Sequence, residues 1–241
     1  MLNLQCSIPY QQYADYLRQI PELFARGEGE LIYSERNQVR RIEHQGRVFI
    51  VKRYKRVNAI QRVVYTFFRK TKAARAYLYA QEFRRRGIDT PREIAYMETF
   101  SHGLFTVGYF VSEECLWREV APDLRNRQDF DRELGHAVMQ HLVLMHSRGV
   151  LHGDLNLTNF LYRRDDDGTY HFMMIDINRS HFTDGMPTPR QCLRNLVRLT
   201  HRRDLYEFLI HQYADLRGWP ADETVRQALR LLDRFEHKLL G

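Results

Sequence analysis

The sequence predicts an α+β fold, with short antiparallel strands gathered in the first half and helices dominating the second. Three observations carry this. Strand-like pieces at residues 30–34, 39–44 and 47–54 follow one another, and the turn His44-Gln45-Gly46 joins the last two as a hairpin. Apolar residues then recur at helical intervals over residues 57–86 and 132–147. Residues 191–240 are again helical, broken near Gly218-Trp219-Pro220.

In chain order, residues 9–25 place Tyr13, Tyr16, Leu17, Ile20 and Phe24 at helical spacing, and Gly27 and Gly29 end that lead-in. In the strand 47–54, Val48, Ile50 and Lys52 share a face because strand side chains alternate, so Lys52 emerges beside apolar neighbours. Residues 57–86 read as one helix with a basic start. Nine Lys or Arg fall between Lys52 and Arg75, and Val63, Val64, Phe67 and Phe68 interleave with Arg62, Arg69 and Lys70. That makes the segment amphipathic and basic, either a solvated helix face or one suited to an anionic lipid or core-sugar surface. Gly87 and Pro91 stop it. Residues 93–97 and 104–112 read as two more strands, and 113–117 as the connection to the helical half. The helix 132–147 sets Leu134, Val138, Leu142 and Met145 on one face and leads through Gly149 into a loop. Beyond that loop, 160–162 and 169–175 flank Asp165-Asp166-Asp167-Gly168, which has the chemistry of a hairpin turn.

Composition narrows the function classes. The net charge of +7 favours anionic partners such as nucleotide phosphates, acidic glycolipid or an anionic membrane face. Nothing in the motifs asks for nucleic acid. Cys6, Cys115 and Cys192 are odd in number and in no paired spacing, so a disulfide set or zinc site is not expected and a reducing cytoplasm is. His136, His141 and His146 are five apart, which does not stack them on one helix face for a metal. No export signal is read at the start, and no uncharged run reaches the roughly 20 apolar residues that span a bilayer.

The chemistry concentrates in His152-Gly153-Asp154-Leu155-Asn156-Leu157-Thr158-Asn159, followed by Asp176-Ile177-Asn178 at the end of an apolar strand. Four residues separate Asp154 from Asn159, so one short loop aims a carboxylate and an amide into the same cleft, and Asp176 adds a second carboxylate. A carboxylate to receive a hydroxyl proton, with Asn and Asp oxygens to hold magnesium on a nucleotide triphosphate, suits phosphoryl transfer. The spacing resembles the kinase elements H-R-D-x-x-x-x-N and D-F-G, with Gly153 in place of Arg and Ile177-Asn178 in place of Phe-Gly.

Arg36-Asn37, Val51-Lys52, Lys72-Ala73-x-Arg75, Gly87-Ile88-x-Thr90-Pro91, His152-Gly153-Asp154-Leu155 and Ile175-Asp176-Ile177-Asn178-Arg179 narrow the match. Together they resemble the lipopolysaccharide kinases of Gram-negative bacteria, the Kdo kinase and WaaP-like heptose kinase enzymes, and look closest to Bacteroidetes-type members. The resemblance implies a two-lobed protein-kinase-like fold: a small antiparallel-sheet lobe with one main helix at residues 1–112, a hinge at 113–117, and a mostly helical lobe at 118–241. It implies transfer of the ATP γ-phosphate, with Mg2+, to a Kdo or heptose hydroxyl of the lipopolysaccharide inner core. The place of action would be cytoplasmic, peripheral at the inner face of the inner membrane.

Carried over by residue, Asp154 is the catalytic base, Asn159 and Asp176 are magnesium ligands, and Lys52 holds the α- and β-phosphates. The sequence departs from the pattern twice. No glycine-rich loop covers the phosphates, so the turn with Arg36 and Asn37 stands in. The glutamate that pairs the lysine is missing near Leu78, and Glu82, one turn on, substitutes. Glu113 marks the nucleotide-binding hinge. Arg179, Arg190, Arg194 and Arg198 are candidates for an acidic-sugar site, with at least half of them simply solvent-exposed. The alternatives are another small-molecule or protein kinase, or a nucleotide-binding pseudokinase scaffold.

Overall fold

A computed structural model gives residues 1–55, 57–125 and 128–240 of the chain. They divide by packing into one unit of residues 1–85 and 91–116 and another of residues 86–90 and 117–241. The first is built on β1 (Leu2–Cys6), β2 (Glu30–Ser34), β3 (Gln38–His44), β4 (Arg47–Arg53), β5 (Glu93–Ser101) and β6 (Leu104–Glu113). These form a six-stranded antiparallel sheet in the order β1-β5-β6-β4-β3-β2. The expected β3–β4 hairpin is there: His44 pairs Arg47, and Gln45 and Gly46 between them both take positive φ, as a two-residue hairpin turn requires. β1 was not expected. Its five residues alternate apolar and polar, a weak signal in so short a segment, and pairing with β5 makes it a strand.

A 3-10 turn (Ile8–Tyr13), α1 (Ala14–Leu17) and α2 (Ile20–Arg26) cover one face of the sheet. Tyr10, Leu17, Ile20 and Phe24 bury against Phe49, Val51, Met97 and Val111. Burying each such side chain contributes about 1.5–3 kcal/mol. Lys52 points to the opposite face, where Tyr54, Tyr96 and Phe110 meet α4 (Lys72–Arg85). Close approach there depends on small residues: a Cβ on Gly108 would stand 2.9 Å from the Cβ of Ala73.

The single helix expected over 57–86 is two, a short one and a longer one. α3 (Ala59–Phe67) begins at a capping box in which Asn58 accepts the Gln61 N–H and the Gln61 side chain accepts the Asn58 N–H. α4 starts afresh because Thr71 Oγ accepts the Ala74 N–H at 3.1 Å while its hydroxyl donates to Glu98 at 2.6 Å. A cap held by a strand residue 27 positions away is a tertiary event that helical periodicity does not register.

The second unit runs through β7 (Arg118–Glu119), α5 (Val120–Arg125), α6 (Arg132–Ser147), β8 (Val150–Leu151), β9 (Phe160–Arg164), β10 (Tyr170–Met174), β11 (His181–Phe182), α7 (Pro189–Leu196), α8 (Arg203–Arg217) and α9 (Ala221–Leu240). α6 is capped by Asp131, which accepts the Leu134 N–H at 2.9 Å. Its Leu134, Val138, Leu142 and Met145 are wholly buried, as their spacing implied, in a unit whose core also holds Leu205, Tyr206 and Leu209 of α8. The expected hairpin at Asp165–Gly168 joins β9 and β10. Gly218, in the left-handed region, ends α8 where the sequence signalled a break. A further interruption at 197–202 separates α7 from α8.

Candidate active site

The loop from His152 to Asn159 lies between β8 and β9, and β11 pairs with β8 on its other side. His152 is completely buried and works as a splint. Its Nε2–H donates to the Ile175 carbonyl at 3.0 Å, and its Nδ1 accepts the Asp154 N–H at 3.2 Å. Burial pushes the imidazole pKa below its ordinary value, so the ring stays neutral and keeps one donor and one acceptor. Ile175 N–H donates to the Asn159 carbonyl at 3.0 Å. These bonds tie both ends of the loop to the residue just before Asp176.

Asn159 Nδ2 donates to the Asp154 carbonyl at 2.8 Å, which turns its Oδ1 away from the loop backbone. Asp176 adopts φ 56° and ψ 40°, a left-handed conformation that costs an L-residue roughly 1 kcal/mol or more. Its Oδ1 accepts from Asn178 Nδ2 at 2.6 Å. Gly153 occupies the place of the kinase arginine for a packing reason. A Cβ there would fall 2.0 Å from the carbonyl oxygen of Arg179, so only glycine lets the two backbones touch.

Asp154 itself is gripped on both oxygens. Arg179 Nη1 donates to Oδ2 and Arg198 Nη1 to Oδ1, each at 3.2 Å. Arg190 and Arg194 are exposed on α7 and take no part in this grip. Of the four arginines flagged in the sequence, two therefore reach Asp154.

The sequence reading missed what holds the loop from behind. Asn195 Nδ2 donates to the His152 carbonyl at 2.6 Å, and its Oδ1 accepts from His146 Nε2 at 3.1 Å. His146 Nδ1 accepts from the Tyr213 hydroxyl at 2.7 Å, and Arg217 donates to that same oxygen at 2.8 Å. Burial holds His146 neutral, with its pKa lowered to about 4. The available signal was Asn195 itself, a poor helix former between Leu193 and Leu196 on an apolar face.

The other candidates lie in the first unit. Lys52 is half-buried on β4, its Nζ 5.6 Å from the centroid of the Tyr54 ring. Arg36 and Asn37 sit in the β2–β3 turn beside a cavity of about 310 Å³ that Arg53 and Lys55 also line. Asn37 Oδ1 accepts the Lys55 N–H at 3.2 Å. Glu82 lies on α4 and receives two bonds from Arg85. Glu113 ends β6, with its carboxylate accepting from the Tyr10 hydroxyl at 2.5 Å and from Arg47 at 3.1 Å.

The splinted loop brings the Asp154 carboxylate and the Asn159 amide beside the segment that leads to Asp176. The model of the lipopolysaccharide kinase (Kdo/WaaP) family matches residues 26–219. The chain belongs to that family. The enzyme is accordingly a phosphotransferase with an alcohol acceptor, a lipopolysaccharide core sugar kinase. Among solved structures it is similar to WaaP in complex with acyl carrier protein, at 21% identity and a TM-score of 0.64, covering 98% of this chain and 97% of that one. It also resembles the amicoumacin kinase hAmiN in complex with AMP-PNP, Ca2+ and Ami, at 12% identity and a TM-score of 0.57, covering 88% and 77%. Both likenesses establish a kinase-like fold for this lipopolysaccharide kinase. No curated relative matches it by sequence.

Proposed function

We propose that this kinase transfers the γ-phosphate of ATP to a Kdo or heptose hydroxyl of the lipopolysaccharide inner core. Asp154 orients the acceptor hydroxyl and receives its proton. The acceptor oxygen bonds to the γ-phosphorus as the bond from that phosphorus to the β–γ bridging oxygen breaks, and ADP leaves with the bonding electrons. The oxygen donors of Asn159 and Asp176 fit magnesium, a hard cation that takes a few protein oxygens and completes its shell with phosphate and water. Bound there, the ion would neutralise phosphate charge during transfer. Lys52 would hold the α- and β-phosphates, Arg36 and Asn37 would cover them, Glu82 would orient Lys52, and Glu113 would mark the nucleotide's place at the strand end.

The observation that carries this reading is the splint from His152 through Ile175 to Asn159, which ties together the segments that bear Asp154, Asn159 and Asp176. Arg179 and Arg198 add two positive charges beside the acceptor position, supporting an acceptor sugar that is itself anionic. Among the described residues no helix is long and apolar enough to cross a membrane, and the glycolipid acceptor supports action at a membrane face.

The test is transfer of labelled phosphate from ATP to extracted inner-core glycolipid with Mg2+ present. Asp154→Asn and Asp176→Asn should abolish it. Full turnover by either variant, or transfer to an aminoglycoside or peptide in preference to the glycolipid, would overturn the assignment.

A further inference from the structure

The first unit contains a cavity of about 770 Å³ on the sheet face opposite Lys52. Arg40 of β3, Arg53 of β4 and Arg62 of α3 line it together with Gln38, Thr106 and Phe24, and no carboxylate does. The guanidiniums are anchored without being neutralised. Arg40 Nη1 donates to the carbonyls of Gly27, Glu28 and Gly29 at 2.7, 3.2 and 2.8 Å, capping the end of α2. Arg53 Nη1 donates to Gln38 at 3.0 Å. Arg62 donates to the Phe105 and Ser101 carbonyls at 3.0 and 3.2 Å. Arg40 Nε is buried with no partner among the described residues, a donor that ordinarily costs stability unless something accepts from it. Three fixed positive charges with no carboxylate among the lining residues favour a ligand rich in anionic oxygen.

The wall made by α3 indicates what else that ligand carries. α3 turns its polar flank to the protein: Thr66 Oγ accepts the Phe105 N–H at 2.9 Å, and Arg62 makes the bonds just given. Its apolar stripe faces outward, with Ile60 75%, Val63 41% and Phe67 68% exposed and Phe68, just past the end, 80% exposed. No residue of this helix is buried. Between Glu43 and Glu82 the sequence contains no acidic residue, and Lys55, Arg69 and Lys70 are exposed around the stripe. An outward apolar stripe framed by cations suits the interface of an anionic bilayer.

We propose that the arginine cavity binds the phosphate headgroup of an anionic membrane lipid while α3 seats in the bilayer interface. Arg53, Arg62 and the Arg40 guanidinium take the phosphate oxygens. Ile60, Phe67 and Phe68 enter the upper acyl layer. Arg40, Arg62 and the α3 stripe are assigned no role in phosphoryl transfer, and Arg53 alone also borders the cavity beside Arg36 and Asn37, so this inference does not depend on the reaction above.

The experiment is co-sedimentation of the full chain with vesicles at about 0.15 M ionic strength, where weak surface charge attraction is largely screened. Vesicles of phosphatidylglycerol mixed into phosphatidylcholine should bind at least about tenfold more tightly than pure phosphatidylcholine. They should also beat vesicles given equal charge by a phosphate-free anionic lipid. Phe67→Ser with Phe68→Ser, on residues too exposed to support folding, should lower affinity about tenfold on every anionic vesicle. Arg53→Gln should erase the preference for the phosphate-bearing lipid while leaving the melting temperature unchanged. Equal binding to neutral vesicles, or wild-type behaviour by both variants, would overturn the proposal. So would a protein that inorganic phosphate stabilises against heat but that ignores vesicles, because the cavity would then serve a free anion.

Discussion

The loop from His152 to Asn159 and the helix α3 are each held by hydrogen bonds to distant residues, yet the two are built to opposite standards. In the loop, a buried imidazole, the Asn195 amide and two arginines each hold a particular atom. α3 has no fully buried residue and rests on its cap, Thr66, Arg62 and the edge-on contact of Tyr65 with Phe105. Phosphoryl transfer depends on positioning, and a misplacement near 1 Å can cost about 100-fold in rate, so the loop is overdetermined. A helix that meets a fluid surface needs no such precision. Its stability can stay at the low end of what the molecule offers.

Changes in the loop should therefore act on chemistry, and changes in α3 on local order. Asp154→Asn is expected to have the largest effect, lowering kcat at least about 1,000-fold in the labelled-phosphate assay through loss of the proposed proton acceptor. Near-normal kcat would remove the loop from the chemistry and dissolve the contrast. Gly153→Ala comes next, since its new methyl must displace the Arg179 backbone. A loss of about 100-fold in kcat in protein that stays folded, with stability lowered by only about 1–3 kcal/mol, would tie the rate to loop placement.

Acid sensitivity tests the support behind the loop. His141 and His146 are held neutral by burial, each with its pKa lowered to about 4. At pH 5 the unfolded chain protonates both while the folded chain does not. Their contribution is therefore complete above the ordinary histidine pKa of about 6.5 and fades as pH falls toward 4, each costing about 2 kcal/mol by pH 5. Urea unfolding of His141→Leu should show a shallower pH slope than wild type, because one buried titrating group is gone, and His141 Nε2 has no hydrogen-bond partner to lose among the described residues. An unchanged slope would refute it. Asn195→Ala leaves the His152 carbonyl and His146 without their partner, and should cost about 1–3 kcal/mol in the same measurement at neutral pH.

The smallest effect belongs to α3. Asn58→Ala removes the capping box at a cost of about 1 kcal/mol. Hydrogen exchange should quicken over residues 59–67, with global unfolding unmoved. A fall in global stability of equal size would mean that α3 is part of the cooperative core after all.

How much of this was legible in the chain varies by element. The α6 face, the β3–β4 hairpin and the break at Gly218 follow from periodicity and turn chemistry, which are local, and they stand where expected. The family follows from ordered motifs and is matched over residues 26–219. Lys52 falls on the sheet face its strand alternation implied. The division of 57–86 into α3 and α4 was not legible, because its cause is a bond from Thr71 to Glu98 on another strand. The chain from Arg217 through Tyr213, His146 and Asn195 to the loop draws on α6, α7 and α8, and no spacing within one segment announces it.

Sequence alone determined the kinase character of this protein, because catalytic spacing, strand alternation and helix periodicity are properties of neighbours along the chain. Only the tertiary structure decided which arginines meet Asp154, why residue 153 must lack a side chain, and that α3 turns its apolar stripe outward. Those outcomes depend on which atoms from distant segments compete for the same space and the same hydrogen bonds. That competition is settled only when the segments pack.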